Sequence, residues 1–159
     1  MDEDKRMIDR DTSPYAALVL RVSLGAMFLV HSLYLKLVVF TLSGTVKFFE
    51  SQGLPGFSTY LVLLAEVVGG AMLVLGVKTR WAAAALVPVL LGATWVHSGN
   101  GWLFTNANGG WEYPAFLAAA TVVQALLGDG AFALGTRFFA RIGSTPNAAE
   151  GRWPKPNPG

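Results

Sequence analysis

The stretch STYLVLLAEVVGGAMLVLGV, residues 58–77, decides the fold, because it places one charged side chain, Glu66, within 20 predominantly apolar residues. About 20 such residues in a helix cross the roughly 30 Å hydrocarbon core of a bilayer. Gly69, Gly70 and Leu73 follow Glu66 at the i+3, i+4 and i+7 spacing of one helical face. We therefore expect a transmembrane helix that turns Glu66 toward a neighbouring helix rather than toward lipid, where a charge is costly.

Three further apolar stretches lie on either side of this one, at residues 16–40, 81–97 and 113–127. They do not alternate like the strands of a membrane barrel, and four strands could not close one. The sequence therefore predicts an all-α fold, an antiparallel bundle of four transmembrane helices. The predicted linkers are residues 41–57, 78–80 and 98–112.

The composition agrees with a membrane protein. The chain is 53% hydrophobic and 14% charged, against roughly 25% charged for soluble domains. Only nine charged side chains lie in residues 16–135, and the others fall near the two ends. We therefore predict a short cytoplasmic tail over 1–15, one membrane domain over 16–135 and a disordered cytoplasmic tail over 136–159.

The lack of cysteine restricts the chemistry of the chain. It excludes disulfides, thiolate zinc sites, iron–sulfur clusters and thiol redox reactions within this protein. No metal cluster is expected, so a redox role would need an organic cofactor, a haem with other ligands or a partner protein. The basic residues do not cluster with aromatic ones, and nucleic-acid binding therefore has no support.

The positions of Lys and Arg predict the orientation. These residues concentrate in both tails and in the short turn at 78–80, whereas 41–57 carries only Lys47 and 98–112 carries none. Because cytoplasmic segments are enriched in Lys and Arg, both termini and this turn are expected in the cytoplasm. We predict a multi-pass protein of the cell's inner (plasma) membrane, with the bilayer as its first partner.

Five ionisable residues fall in the outer half of the predicted bundle, namely His31, Lys36, Glu66, His97 and Glu112. One shared polar pocket would satisfy all of them. Other interpretations stay open: Lys36 could extend to the headgroups, His97 and Glu112 could be solvated, and Glu66 could be purely structural.

The outer loop, HSGNGWLFTN (97–106) followed by GGWEY (109–113), is rich in Gly, Asn and aromatic residues. Its tryptophans, Trp102 among them, could form the aromatic belt of a membrane interface or flat walls for an aromatic ligand. Asn100 is the polar residue that would face such a ligand.

A series of short motifs carries a resemblance to a known family. They are RVSLG (21–25), HSLYLK (31–36), FFESQGLP (48–55), LAEVVGG (64–70), LGVKTR (75–80), HSGNGW (97–102), GWEYP (110–114) and GDG (128–130). In this order the chain resembles the DoxX family of small four-helix membrane proteins. Ser32 departs from the pattern, since the family usually has glycine after this histidine, which puts a close backbone contact there in doubt.

The resemblance implies a role near the quinone pool, because the family includes a subunit of a terminal quinol oxidase and a related subunit of a thiosulfate:quinone oxidoreductase. In this hypothesis Glu66 and His31 are the catalytic residues: Glu66 exchanges protons and His31 hydrogen-bonds the quinone. The quinone-binding set is His31, Lys36, His97, Asn100, Trp102 and Glu112. A partner redox subunit supplies the electrons.

Two alternatives remain at this point. The chain could be a non-catalytic membrane anchor or scaffold for a soluble redox or stress enzyme. His31 and His97 could also ligate haem b, which we disfavour because each site offers one histidine in polar surroundings.

Overall fold

The structure, a computed structural model, describes residues 11–135, and this part of the chain is helical without any strand. The helices are α1 (Ser13–Leu29), a π-helix that continues it directly (Val30–Val39), α2 (Leu42–Ser51), α3 (Ser58–Leu75), α4 (Thr79–His97), a short 3₁₀ turn (Ser98–Asn100) and α5 (Glu112–Leu127). The all-α prediction is confirmed. Residues 136–159 and most of 1–15 lie outside the described residues, so both predicted tails stay predictions.

Within residues 11–135, three helical stretches are long and apolar enough to cross a membrane: Ser13–Val39, Ser58–Leu75 and Thr79–Asn100. The fourth predicted span is the apolar helix α5, which has 16 residues. At 1.5 Å per residue α5 is about 24 Å long, short of the roughly 30 Å hydrocarbon core.

The predicted linker 41–57 contains a helix that the sequence analysis did not find. Thr41 begins α2 with a positive φ of 61°, and its Oγ1 accepts a hydrogen bond from the Gly44 amide at 3.2 Å. A threonine cap of this kind satisfies a free amide of the first turn. The ten residues of α2 are too few to span a bilayer and contain no long apolar run. Hydrophobic length therefore does not predict this helix.

Glycines bring the long helices into close contact. A Cβ atom at Gly25 of α1 would lie 2.7 Å from the Gly70 carbonyl oxygen of α3. A Cβ atom at Gly69 would lie 2.8 Å from the Leu86 side chain of α4. The backbone of α1 therefore rests directly on that of α3, and α3 rests on α4; α5 packs against α4. Small residues permit this approach where lipid supplies no hydrophobic driving force between helices.

The two ends of the packed helices differ in chemistry. We call the end formed by residues 76–79 and 128–131 the turn end, and the opposite end, formed by α2 and residues 98–111, the loop end. At the turn end Arg21 is 1% exposed and donates to three carbonyl oxygens. These are Leu73 O at 2.9 Å, Val74 O at 2.7 Å and Ala131 O at 2.9 Å. Arg21 thus satisfies the last carbonyls of α3 and fastens residue 131 to them.

Candidate functional site

An ion pair between the π-helix and α3 forms the centre of the candidate site. Lys36 Nζ lies 2.5 Å from Glu66 Oε2, and the two side chains are 18% and 8% exposed. Ser32 donates a second hydrogen bond to the same oxygen, Oε2, at 2.6 Å. Glu66 Oε1 makes no hydrogen bond to a described residue. One carboxylate oxygen is therefore held by two donors while the other is available to a further group.

The local fold explains why these three side chains meet. Glu66 lies on the buried face of α3 with Gly69, Gly70 and Leu73, as its spacing predicted. Ser32 and Lys36 are four residues apart, about one turn of the π-helix, so both reach α3. This π-helix replaces the second half of the α-helix expected over 16–40; its last bond runs from the Phe40 amide to the Leu35 carbonyl at 2.8 Å. Short π segments recur at functional sites.

His31 points to a different neighbour from Ser32. Its Nδ1 lies 3.1 Å from the Met27 carbonyl oxygen, to which it donates, and its ring stacks on Tyr113 of α5 with centroids 6.1 Å apart. Because Nδ1 carries the proton in this bond, Nε2 is the acceptor of the neutral ring. Within residues 11–135 His31 makes no hydrogen bond to Glu66. Its predicted role at a quinone stays a prediction.

His97 and Asn100 hold the backbone of the outer loop. His97 Nδ1 lies 3.1 Å from the Asn108 carbonyl oxygen and 3.2 Å from that of Gly109. Asn100 Nδ2 donates to the same two oxygens, at 3.2 and 2.9 Å. Gly110 passes so close to the carbonyls of residues 101–103 that a side chain would not fit there. These contacts make His97 and Asn100 positioning residues for the loop.

An open cleft of about 590 Å³ lies beside α5 at the loop end. Its lining residues are Trp102, Phe104, Glu112, Tyr113, Ala115 and Phe116. Glu112 Oε1 accepts a hydrogen bond from the Phe104 amide at 3.2 Å, and Trp102 packs edge-on against Trp111 with centroids 4.4 Å apart. The loop therefore supplies two aromatic walls of this cleft, Trp102 and Phe104. The interfacial belt and the ligand wall both stay predictions.

The predicted site residues thus occupy three adjoining places instead of one common pocket. Lys36 and Glu66 form the buried pair, Trp102 and Glu112 line the cleft, and His97 with Asn100 braces the loop behind it. His31 touches the cleft residue Tyr113, while the next residue, Ser32, touches Glu66. Consecutive residues of the π-helix therefore contact the cleft and the ion pair.

Two residues at the site were not proposed from the sequence. Ser32 is fully buried and bonded to Glu66, and its spacing of four residues from Lys36 was the signal for a shared helix face. Where the resemblance left a backbone contact in doubt, the structure has a hydroxyl bound to the carboxylate. Tyr113 ends the aromatic-rich segment at 109–113, but nothing in its spacing pointed to His31.

Among the described residues, no group of three His, Cys, Asp or Glu side chains could hold a metal ion. His31 and His97 direct their Nδ1 atoms to different backbone segments, at Met27 and at Asn108.

Comparison with known proteins gives two matches. The model of the DoxX family matches residues 16–99. The protein named "Putative oxidoreductase CatD" from Bacillus subtilis (strain 168) is 37% identical over 76 residues, which are 48% of this chain and 54% of that protein. The chain thus spans about half the length of this relative. No solved structure matches the chain.

Proposed function

The chain belongs to the DoxX family, and we propose from this membership that it is the membrane subunit of a quinone-linked oxidoreductase. The observation that carries the proposal is the buried Lys36–Glu66 pair, an ionisable pair between apolar helices. Ionisable groups at such positions are costly and are usually functional. The relative named as an oxidoreductase supports the same class of reaction.

In the proposed membrane arrangement, α1 with the π-helix, α3, α4 and α5 are four antiparallel transmembrane helices in the inner membrane. The 16 residues of α5 are few for a membrane span. Either residues of the loop end lengthen the span or the bilayer thins around α5. Lys78 and Arg80 put the turn end in the cytoplasm together with both termini. The cleft and α2 then face the outside.

Glu66 is proposed to carry the proton. Lys36 and Ser32 both bind Oε2 and fix the orientation of the group. Oε1 has no partner among the described residues, so it can accept a proton or a hydrogen bond without breaking either contact. A bound quinone would take up two electrons from a partner redox subunit and two protons, and so become a quinol.

The cleft is proposed to hold the quinone ring. Its aromatic walls suit a flat, apolar ring, and one of its lining residues, Phe116, is exposed. His31 would contact the ring edge through Nε2, because Nδ1 is engaged with Met27. Glu112 and Trp102 line the entrance, while His97 and Asn100 position the loop that carries them.

A second candidate is a membrane anchor for a soluble redox enzyme. The observation that favours it is that the polar side chains join helices: Lys36 and Ser32 link the π-helix to α3, and Arg21 links α1 to α3. In that case the ion pair would specify helix packing without exchanging protons.

Purification in mild detergent followed by lipid extraction and a visible spectrum tests the proposal. We expect about one quinone per chain in the complex, and less in Tyr113→Leu, which removes a cleft wall. The matched control Trp95→Leu removes an exposed aromatic residue that does not line the cleft. An extract without quinone would favour the anchor, and a haem band lost in both His31→Ala and His97→Ala would replace the proposal.

A further inference from the structure

We infer that the Lys36–Glu66 pair exchanges protons with the aqueous phase at the loop end alone and is sealed from the turn end. The inference rests on the proposed proton exchange at Glu66 and adds its direction. It follows from an asymmetry about Glu66: on one side α3 is closely packed among apolar side chains, and on the other side the partner Lys36 is partly exposed.

The seal begins one turn below Glu66. A Cβ atom at Gly25 would lie 2.7 Å from both the Gly70 carbonyl oxygen and Val74 Cγ2, so α1 and α3 leave no space for water between them. A Cβ atom at Gly69 would lie 2.8 Å from Leu86, which closes the boundary between α3 and α4 in the same layer. A water molecule needs a polar, open space with two or more partners, and this layer offers neither.

The same layer is apolar through its thickness. Leu24, Phe28, Leu73 and Leu86 are buried within it, each at most 4% exposed. Leu73 is seven residues from Glu66, a separation of about 10 Å along α3. A proton cannot cross this distance without a chain of hydrogen-bonding groups.

The buried polar groups of the turn end stop short of Glu66. Arg21 bonds to the end of α3, and Gln124 of α5 donates to the Gly128 carbonyl oxygen at 2.7 Å. Thr121, one turn further along α5, is fully buried. The next buried residue of α5 toward the loop end is Ala118, which is apolar. Arg21, Thr121 and Gln124 therefore belong to the turn end and do not join the ion pair.

On the other side of Glu66 the ion pair itself reaches toward the loop end. Lys36 keeps 18% of its side-chain surface exposed, and its carbonyl oxygen accepts a hydrogen bond from Thr45 of α2 at 3.0 Å. Lys36 is therefore the group that joins Glu66 to the loop end.

The direction has a consequence for the reaction. When a partner redox subunit delivers two electrons to a quinone, the two protons that complete the quinol are drawn from the loop-end side. With the predicted orientation this is the outside of the cell. The subunit then conducts no protons across the membrane.

Cysteine labelling tests the direction, because the chain contains no cysteine. Glu66→Cys and Lys36→Cys would be treated, in the assembled complex, with an impermeant cationic methanethiosulfonate reagent in right-side-out and inside-out vesicles. Thr105→Cys reports the loop end, Lys78→Cys the turn end and Ala83→Cys the packed core. Lys36→Cys, at the partly exposed member of the pair, serves as the second probe if Glu66→Cys does not assemble.

We expect both probes to be labelled from the side that labels Thr105→Cys, at least ten times faster than from the other side, and Ala83→Cys from neither. Labelling from the Lys78→Cys side, or from neither side, would overturn the inference. The labelling requires no turnover. If a complex without quinone is labelled from the loop-end side only, the proposed function is refuted and the inference stands. If a complex that contains quinone is labelled from both sides, the inference is refuted and the proposed function stands.

Discussion

Lys36 Nζ and Glu66 Oε2 lie 2.5 Å apart on two different helices, and both side chains are largely buried. A pair of this kind is expensive to form in an apolar environment and still more expensive to break, because the remaining charge keeps its desolvation cost. Its presence between the π-helix and α3 explains how these helices are aligned and supplies the proton-carrying group of the proposed function.

Removing the cation should destabilise the protein strongly. We expect Lys36→Met to lower the free energy of unfolding by about 3 kcal/mol, because Glu66 loses its partner. Adding Glu66→Gln should restore most of this loss. Lys47→Met on α2, which removes an exposed lysine, is the control and should change stability by less than about 0.5 kcal/mol. Thermal unfolding in detergent measures all four proteins, and equal stability of Lys36→Met and the wild type would contradict the ion pair.

The hydroxyl of Ser32 should matter although it bears no charge. Ser32→Ala removes a hydrogen bond to a charged oxygen and should cost about 1.5–3 kcal/mol. Ser98→Ala is the matched control, because the Ser98 hydroxyl bonds the Trp95 carbonyl at an exposed position. If both serine variants unfold at the same temperature, Ser32 does not support the carboxylate.

The contact between α1 and α3 predicts a contrast between two glycines. Gly25→Ala should destabilise by about 1–3 kcal/mol, because the new methyl group would overlap the Gly70 carbonyl oxygen and Val74. Gly92→Ala on α4 should be neutral or stabilising by up to about 1 kcal/mol, since its Cβ meets no atom within 4 Å. The comparison fails if Gly25→Ala is tolerated as well as Gly92→Ala.

His97 should control the order of the outer loop. In His97→Ala the carbonyls of Asn108 and Gly109 lose a donor, so amide hydrogen exchange in residues 101–110 should become faster. His31→Ala should leave that segment unchanged, since His31 contacts Met27 and Tyr113. If both variants show similar hydrogen exchange in residues 101–110, His97 does not order this loop.

The sequence predicted the helices well where hydrophobic length decides them. The stretch at 58–77 gave α3 within two residues, and the i, i+3, i+4, i+7 spacing placed Glu66 on its buried face. The π-helix was not predictable, because the same apolar run satisfies an α-helix or a π-helix and only packing against α3 distinguishes them. Helix α2 was missed because ten amphipathic residues resemble a linker.

The predicted depth of each residue in the membrane was a weaker guide to which side chains meet at the site. It placed Lys36 and Glu66 in the same outer half of the bundle, and they meet. It also placed His31 and His97 in that half, but depth carries no information about which neighbour a side chain faces. His31 turns to Tyr113 and His97 to the loop carbonyls. A contact between residues 82 positions apart in the chain cannot be inferred from spacing in one sequence.

The most direct measurement of the central claim is quinone-linked turnover of the assembled complex with Glu66→Gln. This change nearly preserves volume, and the glutamine amide oxygen can accept hydrogen bonds from both Ser32 and Lys36, so the complex should assemble. Because Lys36 loses its counter-ion, thermal stability and quinone content are measured beside turnover. We expect turnover to fall at least 100-fold, the lower range for removal of a general acid–base group. Turnover equal to that of the wild type, in a complex with normal quinone content, would contradict the claim and leave the anchor as the function.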